Sequence, residues 1–400
     1  MLGKKFLLRS KARLQPHIEL LVLQPTTFCN LDCAYCYLPT RHLMRRMTST
    51  TLARIARVIC GSPYVGERLT IVWHAGEPLV LPVEYYRDAF AAIAAAASPA
   101  LQITHSVQTN GILLNDEWID LIVEHGIRVG VSLDGPARFH NAYRRTRSGR
   151  GTHAQVLTGI KRLQAAGLDF HVISVLTAEA LTAPDEFFDF YVRQGIHHVG
   201  FNIEEIEGPH RTSSMQRPGT REAYARFMRR MIARAKACPP DTLVIRELTH
   251  AVAMIADPQM AARRNEQVEP LGIVSIDTEG NISTFSPELL GVAHAEYNGF
   301  VFGNVYEHDL DDVLAHPAFV RAAAAIQAGV RRCAHTCAYF DFCRGGAPAN
   351  KWFEHGDFTS TETLYCRFTK QTVFEVVLND LEGSLDLNPG DKICLSRTAL

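Results

Sequence analysis

CNLDCAYCY, residues 29–37, sets three cysteines, Cys29, Cys33 and Cys36, in one short loop. A structural zinc site calls for four ligands in a tetrahedron, commonly as two CxxC pairs. An iron–sulfur cube that only carries electrons also takes four protein ligands. Three thiolates leave one iron open, and an open coordination position is a place where a small molecule can bind. For the loop taken alone, a zinc site or a redox pair is the alternative reading. The sequence on either side of the loop bears on that choice.

The loop follows an apolar run, HIELLVLQ (17–24), that reads as a β-strand. Five further strand-like runs follow: RLTIVWH (68–74), LQITHSVQT (101–109), IRVGVSLD (127–134), LDFHVISVL (168–176) and HHVGFNIEE (197–205). Helical patterns fill the gaps at 49–60, 83–97, 115–125, 152–166 and 184–194, and TREAYARFMRRMIARAKA follows the sixth strand. Such alternation predicts an α/β fold with a parallel sheet covered by helices. Six βα units are too few for a closed eightfold barrel. The expectation is an open, partial (βα)6 barrel over 18–237, with 1–17 as an N-terminal arm. The polar motifs share one position in it. The cysteine loop follows the first strand, HAGEP (74–78) the second, QTNG (108–111) the third and SLDG (132–135) the fourth, while NIEE (202–205) ends the sixth. In barrels of βα units the strand C-termini form the reactive face. Singly, TNG and LDG are ordinary turn sequences.

The chain has 400 residues, 47% of them hydrophobic, and a net charge of -1, so no basic surplus points to nucleic acid or an anionic membrane. No run approaches the ~18 apolar residues of a membrane span. The N-terminus is basic without an apolar stretch or cleavage site, which reads as an arm rather than a signal peptide and implies a cytoplasmic protein. Seven of the ten cysteines fall in two clusters, while Cys60, Cys238 and Cys394 stand apart and read as buried or incidental thiols.

CxxxCxxC with Tyr35 before its last cysteine, AGEP after the second strand and SLDGPARFHNAYRR after the fourth together resemble the radical SAM superfamily. The resemblance implies a [4Fe–4S] cluster on Cys29, Cys33 and Cys36, with S-adenosylmethionine on the open iron. It implies cofactor contacts from Gly76, Glu77 and Pro78, with Ala75 in place of the motif's first glycine. His74 and Tyr35 join that set, Tyr35 by packing around the cluster. Ser132 would meet the ribose, and Arg144 the methionine carboxylate, with Arg145 and Arg147 as rivals.

The second cluster, Cys333, Cys337, Cys343 and Cys366, is a complete set of four thiolates. A structural zinc knot and a four-iron cluster both fit that count. The block resembles the SPASM extension of peptide-modifying radical SAM enzymes, which implies an α+β domain over 238–385, bridging region included, and a tail at 386–400. Two cysteine positions of that pattern are Phe285 and Ala347 here, which implies one auxiliary cluster in place of two. The missing cysteine beside Ser286 counts against sulfatase maturation, where an aspartate base follows it.

Residues 18–380 resemble the cyclophane-forming GrrM/OscB-like maturases. That resemblance implies hydrogen abstraction from a β-carbon of a ribosomal precursor peptide and addition of the carbon radical to a nearby aromatic ring. One electron and one proton then leave, the electron to the auxiliary cluster. An external electron donor such as flavodoxin or ferredoxin is implied. Candidates for the proton acceptor are Glu204 or Glu205, one of which should face the cavity if the strand alternates through them, and Asp134. Asn350 and Lys351 read as supports of the auxiliary loop. The other readings are a thioether or ether crosslink, epimerisation, side-chain oxidation, or a non-catalytic metal-binding protein. Leader recognition would fall to a barrel edge, to 206–270 or to a separate protein, and EGPHRTSSMQRPGT (207–220) reads as a mobile loop over the site.

Overall fold

The computed structural model describes residues 16–257 and 264–386. Most of the N-terminal arm, the tail and Cys394 lie outside the described residues.

Six strands appear where the apolar runs place them: β1 (Ile18–Leu23), β2 (Val65–Trp73), β3 (Gln102–Thr109), β4 (Arg128–Ser132), β5 (Phe170–Leu176) and β6 (His198–Ile203). They pair in parallel and in chain order. Helices cross back between them and bury their apolar stripes on the sheet. The crossover from β3 to β4 shows how locally this is specified. Asn115 caps helix Asp116–His125 by accepting the Trp118 N–H at 3.0 Å, and acidic Asp116 and Glu117 occupy its first turn. Gly126, at φ 59°, ends it in the left-handed conformation that glycine adopts without strain. Trp118, Leu121 and Ile122 face inward and join one continuous core.

The sheet does not stop at six strands. Among the described residues it has ten, in the order β10-β9-β8-β1-β2-β3-β4-β5-β6-β7. The short β7 (Val244–Ile245) extends the β6 edge in parallel. On the other side β8 (Ile273–Ile276) lies parallel to β1, with Leu20 opposite Ile273 and Leu23 opposite Ile276. It turns through Asp277–Gly280 into the antiparallel β9 (Asn281–Thr284), and β10 (Gly303–Asn304) completes the edge. The hairpin is legible in the sequence, but its docking on β1 is not. β1 therefore runs in the interior of the sheet, and the cysteine loop leaves the C-terminal end of an interior strand.

Beyond the hairpin, Pro317 at a helix start separates helix Leu310–Ala315 from helix Pro317–Thr336. Helix Pro348–His355 packs Trp352 against Tyr297, Phe300 and Phe358. A π-turn, Cys366–Thr372, leads into the last helix, Val373–Asp386.

Candidate active site

The segment after β4 straps the cysteine loop in place. The Asp32 N–H donates to the Arg145 carbonyl at 2.8 Å and the Ala34 N–H to the Tyr143 carbonyl at 2.9 Å, while Leu31 bridges to Thr146. Arg147 donates to the carbonyls of Cys29, at 3.1 Å, and Arg41, at 2.6 Å. Arg145 and Arg147 are exposed, whereas Arg144 is buried and lines a cavity of about 450 Å³. Cys29, Cys33 and Cys36 line the same cavity, with Tyr35, His74, Gly76, Glu77 and Ser132. Burial pushes the Cys29 thiol up to about 12, with the Glu77 charge adding to it, and the Cys33 thiol up to about 11 against the pull of Arg144. His74 is held neutral by burial, its pKa lowered to about 4, and stacks over Tyr37.

AGEP is a tight turn. Ala75 and Gly76 both have positive φ, at 72° and 59°. A Cβ on Gly76 would stand 2.5 Å from the Phe28 carbonyl oxygen, so only glycine fits against the cysteine loop. The Glu77 N–H donates to that same carbonyl at 2.8 Å. The Glu77 carboxylate accepts from Leu79 N–H at 3.0 Å, Thr109 Oγ1 at 2.6 Å and Asn110 N–H at 2.7 Å. It thereby staples AGEP to the QTNG turn. Its burial raises its pKa and those three donors oppose the rise. Pro78 starts the 3-10 turn Pro78–Val80, buried and off the cavity wall. Asn110 also donates to Asn30 Oδ1 at 2.7 Å, and Gln108 donates to Ser132 Oγ at 3.1 Å. The sequence marks QTNG as a rim turn, and the structure adds these anchoring roles.

Asp134 is buried and both its oxygens are taken. Oδ1 accepts the Val175 N–H at 2.9 Å; Oδ2 accepts from Arg144 Nε at 2.9 Å and from the Tyr35 hydroxyl. It is a clasp that joins β4, β5 and the cysteine loop, and it stands off the cavity wall. Tyr35 stacks on Tyr143 with ring centroids 5.7 Å apart.

β6 ends at Ile203, so the alternation expected to choose between Glu204 and Glu205 does not reach them, and both line the cavity. Glu204 accepts the Ser214 N–H at 2.7 Å and holds the turn after it. Glu205 accepts from Asn350 Nδ2 at 2.5 Å. Burial raises the Glu205 carboxyl to about 7, against hydrogen bonds from Asn350 and Glu207. Glu207 is pushed well above the usual range by burial and by the charges of Glu205 and Glu288, and burial raises Glu288 as well. The Tyr37 hydroxyl, buried beside them, has no hydrogen-bond partner among the described residues. Glu207 stands in a quoted motif without a role, and nothing in the sequence marks Glu288, which enters from the turn Pro287–Leu289 after the hairpin. The loop expected to be mobile is pinned at its start. His210 Nε2 lies 3.0 Å from the Cys36 carbonyl, and a Cβ on Gly208 would stand 2.0 Å from the Tyr37 carbonyl oxygen.

The four C-terminal cysteines line one separate cavity of about 420 Å³. Cys333 sits in the last turn of helix Pro317–Thr336, Cys337 caps it, Cys343 ends the short helix Phe340–Cys343 and Cys366 opens the π-turn. Lys351 Nζ donates to Cys333 Sγ at 3.6 Å. Four thiolates around one cavity are the donor set of a four-iron cube, and three thiolates line the other cavity.

The family model for the radical SAM superfamily matches residues 23–190. An uncharacterised protein of Synechocystis, sll1766, is 42% identical over 373 residues, covering 92% of this chain and 93% of its own. A serine-type anaerobic sulfatase-maturating enzyme of Klebsiella aerogenes is 34% identical over 182 residues, 45% of each chain. The solved structure of native anSMEcpe with bound AdoMet and Kp18Cys peptide has a TM-score of 0.72 at 16% identity, covering 93% of this chain and 99% of that one. At that identity the likeness speaks for the fold. No helix among the described residues is long and apolar enough to cross a membrane. With three cysteines on an open-sided loop, a glycine turn pressed against it and a cavity between them, the chain belongs to the radical SAM superfamily, whose cofactors are S-adenosylmethionine and a [4Fe–4S] cluster.

Proposed function

We propose that the protein modifies a ribosomally made precursor peptide by joining an aromatic ring carbon to the β-carbon of a nearby residue. The observation that carries this reading is the junction at Glu205. Its carboxylate lines the cavity of the first cysteine set, and Asn350, which holds it, is followed in the chain by Lys351 at the second set. When bound, S-adenosylmethionine and the first cluster supply a carbon-centred radical for hydrogen abstraction, and an auxiliary cluster supplies an electron sink. Cys29, Cys33 and Cys36 would hold the first cluster; Cys333, Cys337, Cys343 and Cys366 would hold the second. The chain's own residues do the rest. Gly76 lets the AGEP turn press against the cysteine loop, Arg144 would offer a buried cation to a carboxylate, and Ser132 would present a hydroxyl. Glu205, with a carboxyl raised to about 7 by burial, is matched to accept a proton near neutrality. The charge of Glu288 adds to the rise, and the hydrogen bond with Glu207 opposes it. An external one-electron donor and the precursor are the implied partners.

An outcome that sheds one proton and one electron suits this site better than epimerisation. Epimerisation returns a hydrogen atom to carbon, commonly from a thiol, and among the described residues the cysteines lining this cavity are the three of the cluster loop. Oxidation of a serine or cysteine side chain is the second reading. It is favoured by the similarity to a sulfatase-maturating enzyme, and Glu288, three residues beyond Phe285, supplies an acid on the cavity wall.

The test is coexpression with candidate precursor peptides, followed by mass spectrometry. Loss of two hydrogens, with no backbone fragments between the joined residues and no reaction with a hydrazine, is the expected result. A hydrazine-reactive product supports side-chain oxidation. An unchanged mass with an inverted stereocentre sinks both.

A further inference from the structure

Lys351 is 3% exposed, and the acid that feels its charge, Asp357, makes no direct ion pair with it among the described residues. A buried ammonium is costly unless its neighbours stabilise the charge. The neighbours of Lys351 are built to hold it all the same. Gly329, in helix Pro317–Thr336, leaves the space: a Cβ there would stand 3.0 Å from Lys351 Nζ and 2.1 Å from the Phe358 carbonyl oxygen. The one hydrogen bond described for the ammonium goes to Cys333 Sγ at 3.6 Å. Across the same cavity Gln371 Nε2 lies 3.9 Å from Cys366 Sγ. Two donors thus face the sulfurs of one cysteine set, and one of them carries a full charge.

We infer that Lys351 is a positioning residue for electron transfer: its buried charge raises the reduction potential of the cluster held by Cys333, Cys337, Cys343 and Cys366. The inference rests on the reading of that set as an auxiliary [4Fe–4S] site. Four thiolates leave an oxidised cube with a net negative charge, and reduction adds one more. A fixed cation at the sulfur stabilises the reduced form more than the oxidised form, and the low dielectric of a buried site amplifies the difference. Potential is thereby set by a residue that touches neither substrate nor S-adenosylmethionine. The neighbouring Asn350 holds Glu205 in the other cavity. One turn of helix Pro348–His355 therefore fixes the electron acceptor and the proton acceptor relative to each other.

The test is a redox titration of the anaerobically reconstituted full chain, followed by electron paramagnetic resonance. S-Adenosylmethionine identifies the first cluster, because its addition perturbs that signal alone. Lys351→Met and Lys351→Gln are expected to make the auxiliary cluster at least tenfold harder to reduce, a fall of about 59 mV for one electron. Lys351→Arg keeps most of the wild-type value, and the first cluster does not move in any variant. Iron analysis accompanies each variant. An unmoved auxiliary potential in a neutral variant that retains about eight irons, two four-iron clusters, overturns the inference alone. So does loss of the second cluster in both neutral variants, which would make Lys351 a scaffold residue. Wild-type protein with only about four irons overturns the reading of the second site together with the inference.

Discussion

Asp134 carries the clearest lesson at the scale of one residue. Its place in SLDG makes it a candidate base, because a carboxylate at a strand end on the reactive rim is where a base would stand. Its partners say otherwise: Val175 N–H, Arg144 Nε and the Tyr35 hydroxyl use both oxygens. Removing the carboxylate strands a buried guanidinium, a change that costs about 3–5 kcal/mol. Asp134→Ala is therefore expected to lower stability by that order in chemical denaturation and to lose iron from the first site. A variant of unchanged stability that retains its iron but loses turnover would restore Asp134 as a base. Ala75 makes the complementary point. Its φ of 72° lies in the region glycine favours, so the alanine in AGEP is accommodated by strain rather than by a different turn.

At the scale of elements, the segment after β6 behaves as a brace for the cysteine loop. Gly208, at φ 57°, brings its backbone against the Tyr37 carbonyl, and His210 reaches the Cys36 carbonyl. A methyl group at 208 must push the two loops apart, since the contact is with backbone that has no rotamer to yield. Gly208→Ala is expected to weaken retention of the first cluster severalfold, read as the rate of iron loss to a chelator, while the second site keeps its iron. Equal retention at both sites would show that the brace is dispensable. Proline and glycine in EGPHRTSSMQRPGT suggest a loop, and loop it is. What the pattern does not convey is that the glycine serves a close approach rather than freedom of motion.

The acidic cluster belongs to the whole molecule. Glu205 and Glu207 come from the end of β6, Glu288 from the turn after β9, and the Asn350 amide from helix Pro348–His355. Burial raises all three carboxyls, so the folded protein binds more protons than the unfolded chain above the ordinary carboxylate range. Stability must then fall as pH rises toward and through about 7, the value for Glu205. Buried His74, His105 and His140, lowered to about 4, about 4 and about 3, act in the opposite direction, and their effect fades over about one pH unit above their ordinary value of 6.5. The share of Glu205 is therefore read from its own substitution. Cluster-free protein is expected to lose about 1 kcal/mol from Glu205 alone between about pH 6.5 and 8. Glu205→Gln should flatten the slope by that amount in denaturant titrations. A slope unchanged by the substitution would remove Glu205 as the titrating group.

The sequence by itself determined the elements and the first cysteine set. Strand runs, caps and turn glycines are short-range, so periodicity and punctuation place β1 to β6 and the hairpin Ile273–Thr284 to within a few residues. CxxxCxxC is equally local: eight residues bring three thiolates to one loop whatever surrounds it. Only the tertiary structure decided that β8 docks on β1, that Asp134 is a clasp, and that Glu207 and Glu288 face the cavity of the cysteines. It alone decided that Asn350 and Lys351, adjacent in the chain, serve two different cavities. The reason is the range of the forces involved. Which buried carboxylate keeps a proton depends on desolvation and on charges from segments far apart in sequence, and these exist only once the chain has closed around them.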